Sequence, residues 1–257
     1  MNNKKIVVLV VSCDHFSDLW DPYFELFDRF WADCPFDKYL LSNYKNYPND
    51  YGVKSLSIQK DTSWSSSLIK GLNQLSRYDY VLLLLEDLFF KNKVNTKKLE
   101  EVIDDFIFQD GNSITLFNQP LADMPFNELY GEISIGAPYR TTATFTLWKM
   151  STLLDLLDES ESAWGFEKVG ARRSDNYSGF YSVHENIFNH IHGVVKGKWL
   201  FSRIKELNSL GIEIDNTREV MSGVELLKMK GYKLIRSLIF FFVPFKYRKK
   251  LIRLKKI

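Results

Sequence analysis

The sequence predicts an α/β fold in which a largely parallel central sheet is flanked by helices. Apolar runs of strand length alternate with segments of helical spacing through the first half of the chain. The runs Ile6 to Val11 and Tyr80 to Leu85 are almost wholly apolar, as strands buried on both faces of a parallel sheet are. The 257 residues contain no internal repeat or low-complexity linker. We therefore expect a single well-cored domain over residues 1–229, followed by a separate tail over residues 230–257.

The elements of the first quarter follow one another as strand, helix, strand and strand. Ile6 to Val11 is β-branched and bounded by polar residues. Asp18 to Asp33 carries apolar residues at helical spacing, and Pro22 within it suits a first helical turn. Lys38 to Ser42 is predicted as the second strand, and Lys54 to Ile58 as a third strand or sheet edge.

The rest of the body continues the alternation. Leucines at helical spacing follow Asp61 to Ser67, where Asp61 or Ser63 would cap the helix. The further predicted elements are a strand over Tyr80 to Leu85, a helix over Asn95 to Phe108, a strand over Ser113 to Phe117, a β-rich segment over Arg140 to Trp148, a helix over Ser151 to Leu157, mixed structure over Tyr177 to Lys198 and a helix or turn over Ile204 to Ile212.

The charge distribution is uneven. The chain has a net charge of +2, but Lys230 to Ile257 carries ten Lys and Arg and no Asp or Glu. The body is therefore acidic, and an acidic body argues against general nucleic-acid binding, which needs a basic face.

The two cysteines, Cys13 and Cys34, form neither a zinc-ligand spacing nor a disulfide framework. The polar start of the chain and its short first apolar run do not predict a signal peptide. We expect a cytoplasmic location from these features.

Two acids follow the apolar strand Tyr80 to Leu85 directly. Glu86 and Asp87 would lie beyond the carboxyl end of that strand, where open α/β sheets bind ligands. Adjacent carboxylates there can hold a divalent cation or accept hydrogen bonds from ribose hydroxyls. The alternative is a solvated turn that happens to contain two acids.

The order of these elements resembles bacterial glycosyltransferases of the GT-A fold, in particular those of capsule and O-antigen gene clusters. The resemblance rests on the segment YVLLLLEDLFF at Tyr80 to Phe90, on TLWKM at Thr146 to Met150, and on ESAWGFE at Glu161 to Glu167. It covers roughly Lys5 to Trp199. It implies a GT-A-like (Rossmann-like) domain that moves a sugar from a nucleotide-sugar donor to a glycan or lipid-linked glycan of a surface polysaccharide.

The resemblance also assigns the donor side. Glu86 and Asp87 take the place of the family's D-x-D-type acids and would hold the diphosphate through Mg²⁺ or Mn²⁺, although the signature here is Glu-Asp. The other implied donor residues are Ser12, Asp14, Asn43, Asp61 and Trp64. For each of these the alternative is a helix cap or a core aromatic.

Glu167 is the candidate general base if the transfer inverts, because an inverting transfer needs a carboxylate beside the acceptor hydroxyl. In a retaining transfer, which the sequence equally allows, Glu167 would not have this role. Trp164 and Phe166 would form an apolar wall that raises its pKa; the alternative is a surface acid beside two core aromatics. The predicted acceptor-side residues are Trp148, Trp164, Arg172, His184 and Glu185. The four histidines show no clean metal spacing.

The tail combines an apolar segment, Leu234 to Phe245, with a basic one, Lys246 to Lys256. The apolar part is shorter than the roughly 20 residues that span a bilayer. This composition favours a basic amphipathic helix on an anionic membrane surface, on the inner face of the cell membrane. The alternative is a terminal helix packed on the domain.

The same sequence features are compatible with two other functions. A nucleotidyl- or phosphotransferase would use the same strand-end acids on a nucleotide triphosphate. A non-catalytic nucleotide- or glycan-binding protein at the membrane would bind a donor without cleaving it.

Overall fold

A computed structural model describes residues 4–60, 62–215, 217–229 and 231–232. The chain divides into two compact units, Met1–Ile191 and His192–Ile257. The predicted donor residue Asp61 and nearly all of the predicted tail lie outside the described residues, so the tail and the domain boundary near Met229 stay predictions.

Most of the helices and strands in the described residues belong to the first unit. Its strands are β1 (Ile6–Val11), β2 (Asp37–Ser42), β3 (Val53–Ser57), β4 (Tyr80–Leu85), β5 (Leu88–Phe90), β6 (Ser113–Thr115), β7 (Met124–Pro125), β8 (Tyr130–Glu132), β9 (Thr146–Lys149), β10 (Phe180–Val183) and, ending at the start of the second unit, β11 (His190–His192). Its helices are α1 (Trp20–Trp31), α2 (Trp64–Gln74), α3 (Thr96–Phe108), α4 (Met150–Leu156), α5 (Ala163–Gly165) and α6 (Ala171–Arg173). The second unit contains β12 (Val194–Val195), β13 (Lys198–Trp199) and α7 (Phe201–Ser209).

Within the described residues, the central sheet has nine strands in the order β3-β2-β1-β4-β9-β6-β10-β8-β7. β1 is parallel to β2 and β4, β2 to β3, and β6 to β10. β9 is antiparallel to both β4 and β6, so β6 and β10 run in the same direction as β1 to β4. The predicted α/β fold with a largely parallel sheet is confirmed. The carboxyl ends of β1 to β4, β6 and β10 therefore share one edge, which we call the carboxyl edge.

Helices cover the sheet on both faces, as the apolar and buried central strands β1 and β4 require. On one face, Leu68 of α2 and Leu153 of α4 pack with Val7 and Leu9 of β1 in a buried cluster. On the other face, the ring of Tyr80 contacts Phe106 of α3 at 5.9 Å between centroids. Burying apolar surface on both sides fixes the strand ends that the candidate site uses.

The composition of Arg140 to Trp148 predicts a β-rich segment, but only its last part is a strand. Only Thr146–Lys149 pairs with the sheet, and residues 140–145 form an irregular loop. The reason is Arg140, whose buried guanidinium donates to the carbonyl oxygens of Ile133, Ser174 and Tyr177. The short strands β5, β7 and β8 were not predicted, because two or three residues are too few to show an alternating pattern.

In the described part of the chain, no helix combines the length and the apolar character that crossing a membrane requires.

Candidate active site at the carboxyl edge

Glu86 and Asp87 form the two-residue turn between β4 and β5. Glu86 is only 7% exposed, and Asp87 is half-buried. The strands on either side are almost completely buried, which anchors the turn. Both acids are thus held at the carboxyl end of the central strand, and Asp87 is the more accessible of the two.

A buried phenol from α1 lies near these acids. The Tyr23 ring packs against Phe89 and Phe90, at 6.3 Å and 5.9 Å between centroids. Burial, and after it the charges of Glu86 and Asp87, raise the pKa of Tyr23 well above its ordinary value. In the described part of the chain its hydroxyl has no hydrogen-bond partner. Tyr23 therefore keeps its proton as a donor close to the two acids.

Asp14 and Asn43 join the ends of β1 and β2. The Asp14 carboxylate accepts the backbone N–H of Asn43 at 3.0 Å, and those of Tyr44 and Lys45 at 3.1 Å each. The Asn43 amide oxygen accepts the Asp14 N–H at 3.1 Å, and its amide nitrogen donates to the carbonyl oxygen of Gln59 after β3 at 3.1 Å. These bonds bring the loops after β1, β2 and β3 together.

The remaining predicted donor residue after β1 is Ser12, whose hydroxyl accepts from Trp20 Nε1 at 2.8 Å. Two exposed side chains in the loop after β2, Tyr44 and Lys45, were not predicted from the sequence as donor residues. Tyr44 is 65% exposed, and Lys45 Nζ donates to the Ser17 hydroxyl at 2.7 Å. Only the folded loop reveals them, because nothing in the sequence separates them from other loop residues.

The start of α2 connects the donor side to the segment around Glu167. The Ser63 hydroxyl caps α2 by accepting the Ser66 N–H at 2.9 Å, one of the two predicted caps. The Trp64 ring lies 5.8 Å from that of Phe166, and the Ser65 N–H donates to the Glu161 carbonyl at 3.1 Å. Trp64 is thus half-buried against the segment that contains Glu161 and Phe166.

Glu167 lies in a five-residue π-helical turn, Phe166–Gly170, between α5 and α6. Its Oε1 accepts the Ala143 N–H at 3.3 Å and the Thr142 hydroxyl at 3.4 Å. Burial raises the pKa of the Glu167 carboxyl, and these two hydrogen bonds oppose that shift only in part. A carboxylate with a raised pKa is a better proton acceptor than an exposed one.

The predicted wall around Glu167 is only partly present. Phe166 is fully buried between the rings of Trp64 and Trp148, whereas Trp164 is 68% exposed. The polar partners of Glu167 come instead from the loop before β9. Thr142 and Ala143 were not predicted as part of the site, because the composition of their segment favours a strand.

The topology places Glu167 at the same edge as the two acids. Since Thr146 of β9 pairs with Leu83 of β4 in an antiparallel ladder, the residues before Thr146 lie beside the carboxyl end of β4. Thr142 and Ala143 are those residues, and they hold Glu167. The base candidate and the acids after β4 thus reach one edge from elements far apart in sequence.

The direct acceptor contact predicted for Trp148 is wrong. Its side chain is fully buried and packs against Phe166 and Phe180, so no ligand can touch it. Its indole Nε1 donates to the Thr142 carbonyl at 3.1 Å. Trp148 therefore positions the loop that holds Glu167.

The other predicted acceptor residues are accessible. His184 and Glu185 are exposed and follow β10 at the carboxyl edge, where His184 Nε2 lies 3.0 Å from the Asn127 carbonyl oxygen. Arg172 is exposed on α6. Its neighbour Arg173 instead forms a two-pronged ion pair with Glu161, at 2.9 Å and 2.6 Å, that fastens the segment before Glu167.

Among the described residues, no group of three or more His, Cys, Asp or Glu side chains could hold a metal ion by itself. The adjacent pair Glu86 and Asp87 is smaller than such a group. It suits a cation that also takes ligands from a substrate.

No protein-family model matches the chain, and no curated protein matches it. Similar solved structures include S. aureus TarS 1–349, with 13% identity, a TM-score of 0.46 and coverage of 69% of this chain and 60% of that one. The chain thus spans about three fifths of that TarS structure. The galactosyltransferase LgtC, in complex with donor and acceptor sugar analogues, has 11% identity, a TM-score of 0.39 and coverage of 68% and 71%.

The protein A197 from STIV is a further similar structure, with 12% identity, a TM-score of 0.42 and coverage of 76% of this chain and 89% of that one. At such low identities these likenesses concern the course of the backbone and carry no assignment of site residues.

Proposed function

We propose that this chain is a glycosyltransferase that moves a sugar from a nucleotide-sugar donor to a surface-polysaccharide acceptor, which is lipid-linked. The observation that carries the proposal is the β4–β9 register, which, with the hydrogen bond from Ala143 to Glu167, supports a position of Glu167 at the same sheet edge as the Glu86–Asp87 pair. Glu167 is a desolvated carboxylate suited to take a proton. Glu86 and Asp87 are acids suited to a divalent cation that is shared with a diphosphate. The segments that carry the GT-A resemblance contain these residues: Tyr80 to Phe90 contains Glu86 and Asp87, and Glu161 to Glu167 ends at Glu167.

The donor would lie across the ends of β1, β2 and β4. The loops after β1 and β2 are fastened by Asp14 and Asn43, so their backbone groups and the exposed Tyr44 ring form a rigid rim for the nucleoside. The diphosphate would then face Asp87, the accessible acid of the pair. Ser12, which follows β1, and Trp64, which begins α2, would complete the donor site.

Glu86 and Asp87 fit a divalent cation, Mg²⁺ or Mn²⁺, that is shared with the donor. Such ions prefer oxygen ligands, and Mg²⁺ is commonly bound by one or two carboxylates together with substrate phosphates. When bound, the cation would offset the charge that develops on the leaving diphosphate. Asp87 would hold it, with Glu86 beside it.

Glu167 would act as general base in an inverting transfer. The acceptor hydroxyl oxygen attacks the anomeric carbon of the donor sugar and forms the new glycosidic bond. The bond from that carbon to the diphosphate oxygen breaks, and the nucleoside diphosphate leaves with the electron pair. The proton of the acceptor hydroxyl passes to the Glu167 carboxylate.

The acceptor would approach from the side of α5, α6 and the end of β10. Trp164 and Arg172 are exposed next to Glu167 in sequence, and His184 and Glu185 are exposed after β10. An indole face and charged groups of this kind suit sugar rings and hydroxyls.

The tail over residues 230–257 would hold the enzyme on the inner face of the cell membrane, next to a lipid-linked acceptor. Its ten cationic residues and its apolar segment support this part of the proposal. The acidic charge of the remaining chain makes the tail the natural contact for anionic lipid.

A panel of nucleotide-sugars tests the function. Each is scored for thermal stabilisation of the protein and for slow hydrolysis without acceptor, with and without Mn²⁺. We expect one or a few nucleotide-sugars to stabilise the fold and to be cleaved at the sugar–diphosphate bond.

The same panel separates the rival functions. Turnover of a nucleoside triphosphate in place of a nucleotide-sugar would indicate a nucleotidyl- or phosphotransferase. Stabilisation without any cleavage would indicate a binding protein. A response to none of the nucleotide-sugars contradicts the proposal.

A further inference from the structure

A cavity of about 350 Å³ opens at the carboxyl edge between the start of α3 and the end of β10, away from the acids after β4. Its floor is apolar and formed by Val102, Val183 and Ile187, which are buried, with Leu129 beside them. Its remaining lining residues are polar: Lys93, Asn95, Lys98, Glu128, His184, Glu185, Asn186 and Asn189.

The wall of the cavity is held rigidly by hydrogen bonds to the backbone. The Asn118 N–H donates to the Asn186 amide oxygen at 2.8 Å, and the Asn118 amide donates to the His184 carbonyl oxygen at 2.8 Å. The Lys91 N–H donates to the Asn189 carbonyl at 3.0 Å. A binding site whose wall is already ordered loses little entropy when a ligand enters.

Several polar side chains at the mouth remain available to a ligand. In the described part of the chain, the charged ends of Lys93, Glu128 and Glu185 have no hydrogen-bond or ion-pair partner, and neither does the Asn189 amide. They offer both donors and acceptors over an apolar floor.

The lining carries charges of both signs. The cations are Lys93 and Lys98, of which Lys98 is paired with Glu101 at 3.1 Å, and the acids are Glu128 and Glu185. An anionic ligand such as a phosphate would meet the two acids, and a cationic one would meet the lysines. The asparagine amides of the lining both donate and accept, its carboxylates accept and its lysines donate, so together they suit the hydroxyl groups of a neutral sugar. The aliphatic floor suits the apolar face of the sugar ring.

We propose that this cavity is a distal subsite for a neutral sugar unit of the acceptor glycan. Neighbouring strands lie about 4.8 Å apart, so three spacings place the end of β10 roughly 14 Å from the end of β4. An oligosaccharide reaches across that separation and a single sugar does not. The assignment to the acceptor rests on the proposed function, whereas binding of a glycan in the cavity does not.

The test is direct binding of neutral oligosaccharides to the full chain without nucleotide. The probes are glucose, galactose and N-acetylglucosamine oligomers, from monosaccharide to pentasaccharide, titrated by calorimetry and by proton NMR of the histidine rings. Asn189→Trp places a large ring in the mouth at an exposed position. Asn73→Trp, at an exposed position of α2, is the matched control.

We expect at least one oligosaccharide to bind the wild type and Asn73→Trp alike, and to bind Asn189→Trp at least tenfold more weakly. The ring signals of His184 should shift during the titration while those of the exposed His15 do not. Equal affinity of both tryptophan variants, an unmoved His184 signal, or no binding of any oligomer to the wild type would overturn the inference.

Hydrolysis of nucleotide-sugars by the wild type separates this inference from the function. If an oligosaccharide binds in the cavity and no nucleotide-sugar is cleaved, the proposed transferase fails while the glycan site stands. If nucleotide-sugars are cleaved and no oligosaccharide binds, the transferase stands and the cavity assignment fails.

Discussion

At the scale of single residues, Glu167 carries the chemistry of the proposal. Glu167→Gln keeps the shape and the two hydrogen-bond donors around the side chain but removes the proton acceptor. We expect transfer to fall by about 10²- to 10⁴-fold, the usual range for a lost general base. Binding of the donor nucleotide, measured by calorimetry, should change little.

The control for this variant is Glu100→Gln, at an exposed position of α3. It should transfer sugar at the wild-type rate. Near-normal transfer by Glu167→Gln would remove the assignment of Glu167 as base.

The raised pKa of Glu167 also predicts how stability depends on pH. The folded state binds the Glu167 proton more tightly than the unfolded state does, so it favours the neutral carboxyl. That contribution is fully present below the ordinary value of 4.5 and is lost as pH rises through the higher folded pKa. Glu167→Gln lacks the buried charge, so its melting temperature should rise relative to wild type between pH 4.5 and pH 7.5. A constant difference across that range would contradict the burial of the charge.

A substitution of Thr142 tests whether its hydroxyl lowers the pKa of Glu167. Its hydroxyl bond lowers the pKa of Glu167, so Thr142→Val should move the acidic limb of the transfer rate to higher pH. The control is Thr152→Val in α4, which loses a hydrogen bond from the Thr152 hydroxyl to the Asn112 amide oxygen. Thr152→Val should lose stability but keep the midpoint of the acidic limb. Identical limbs in Thr142→Val and wild type would show that the hydroxyl does not act on Glu167.

At the scale of elements, Asp14 links the loops after β1 and β2, where we propose that the donor binds. Asp14 accepts three backbone N–H groups, and hydrogen bonds to charged groups contribute about 1.5–3 kcal/mol each. Asp14→Ala should lower the free energy of unfolding in urea by at least about 2 kcal/mol and weaken donor binding. Asp28→Ala, at an exposed position of α1, should do neither. A stable Asp14→Ala variant with normal donor binding would show that the loops do not need the link.

The elements also show what the sequence could predict. Long buried strands such as β1 and β4 were predictable at both ends, because their apolar runs are bounded by polar residues. The place of Glu86 and Asp87 at the carboxyl end of β4 was predictable, because the two acids follow that strand directly. The loop of Thr142 and Ala143 did not follow, since Arg140 diverts the backbone through contacts with residues up to 37 positions away. The partners of Glu167 therefore needed the structure.

At the scale of the whole molecule, the basic tail should decide where the enzyme works. Replacing Lys249, Lys250 and Arg253 by Glu in the full chain should release it from vesicles that contain phosphatidylglycerol, because each cation near an anionic surface contributes about 1 kcal/mol. The control replaces Lys97, Lys98 and Lys70 by Glu. Vesicle flotation measures both. Equal partitioning of the two variants would mean that the tail is not the anchor.

The most direct test of the proposed function is a crystal structure with an intact nucleotide-sugar analogue and Mn²⁺. We expect the nucleoside to lie against the loops after β1 and β2, the diphosphate to face Asp87, and the anomeric carbon to point toward Glu167. A nucleotide bound elsewhere, for example in the groove of Lys4, Lys5 and Arg77 at the opposite edge of the sheet, would contradict it.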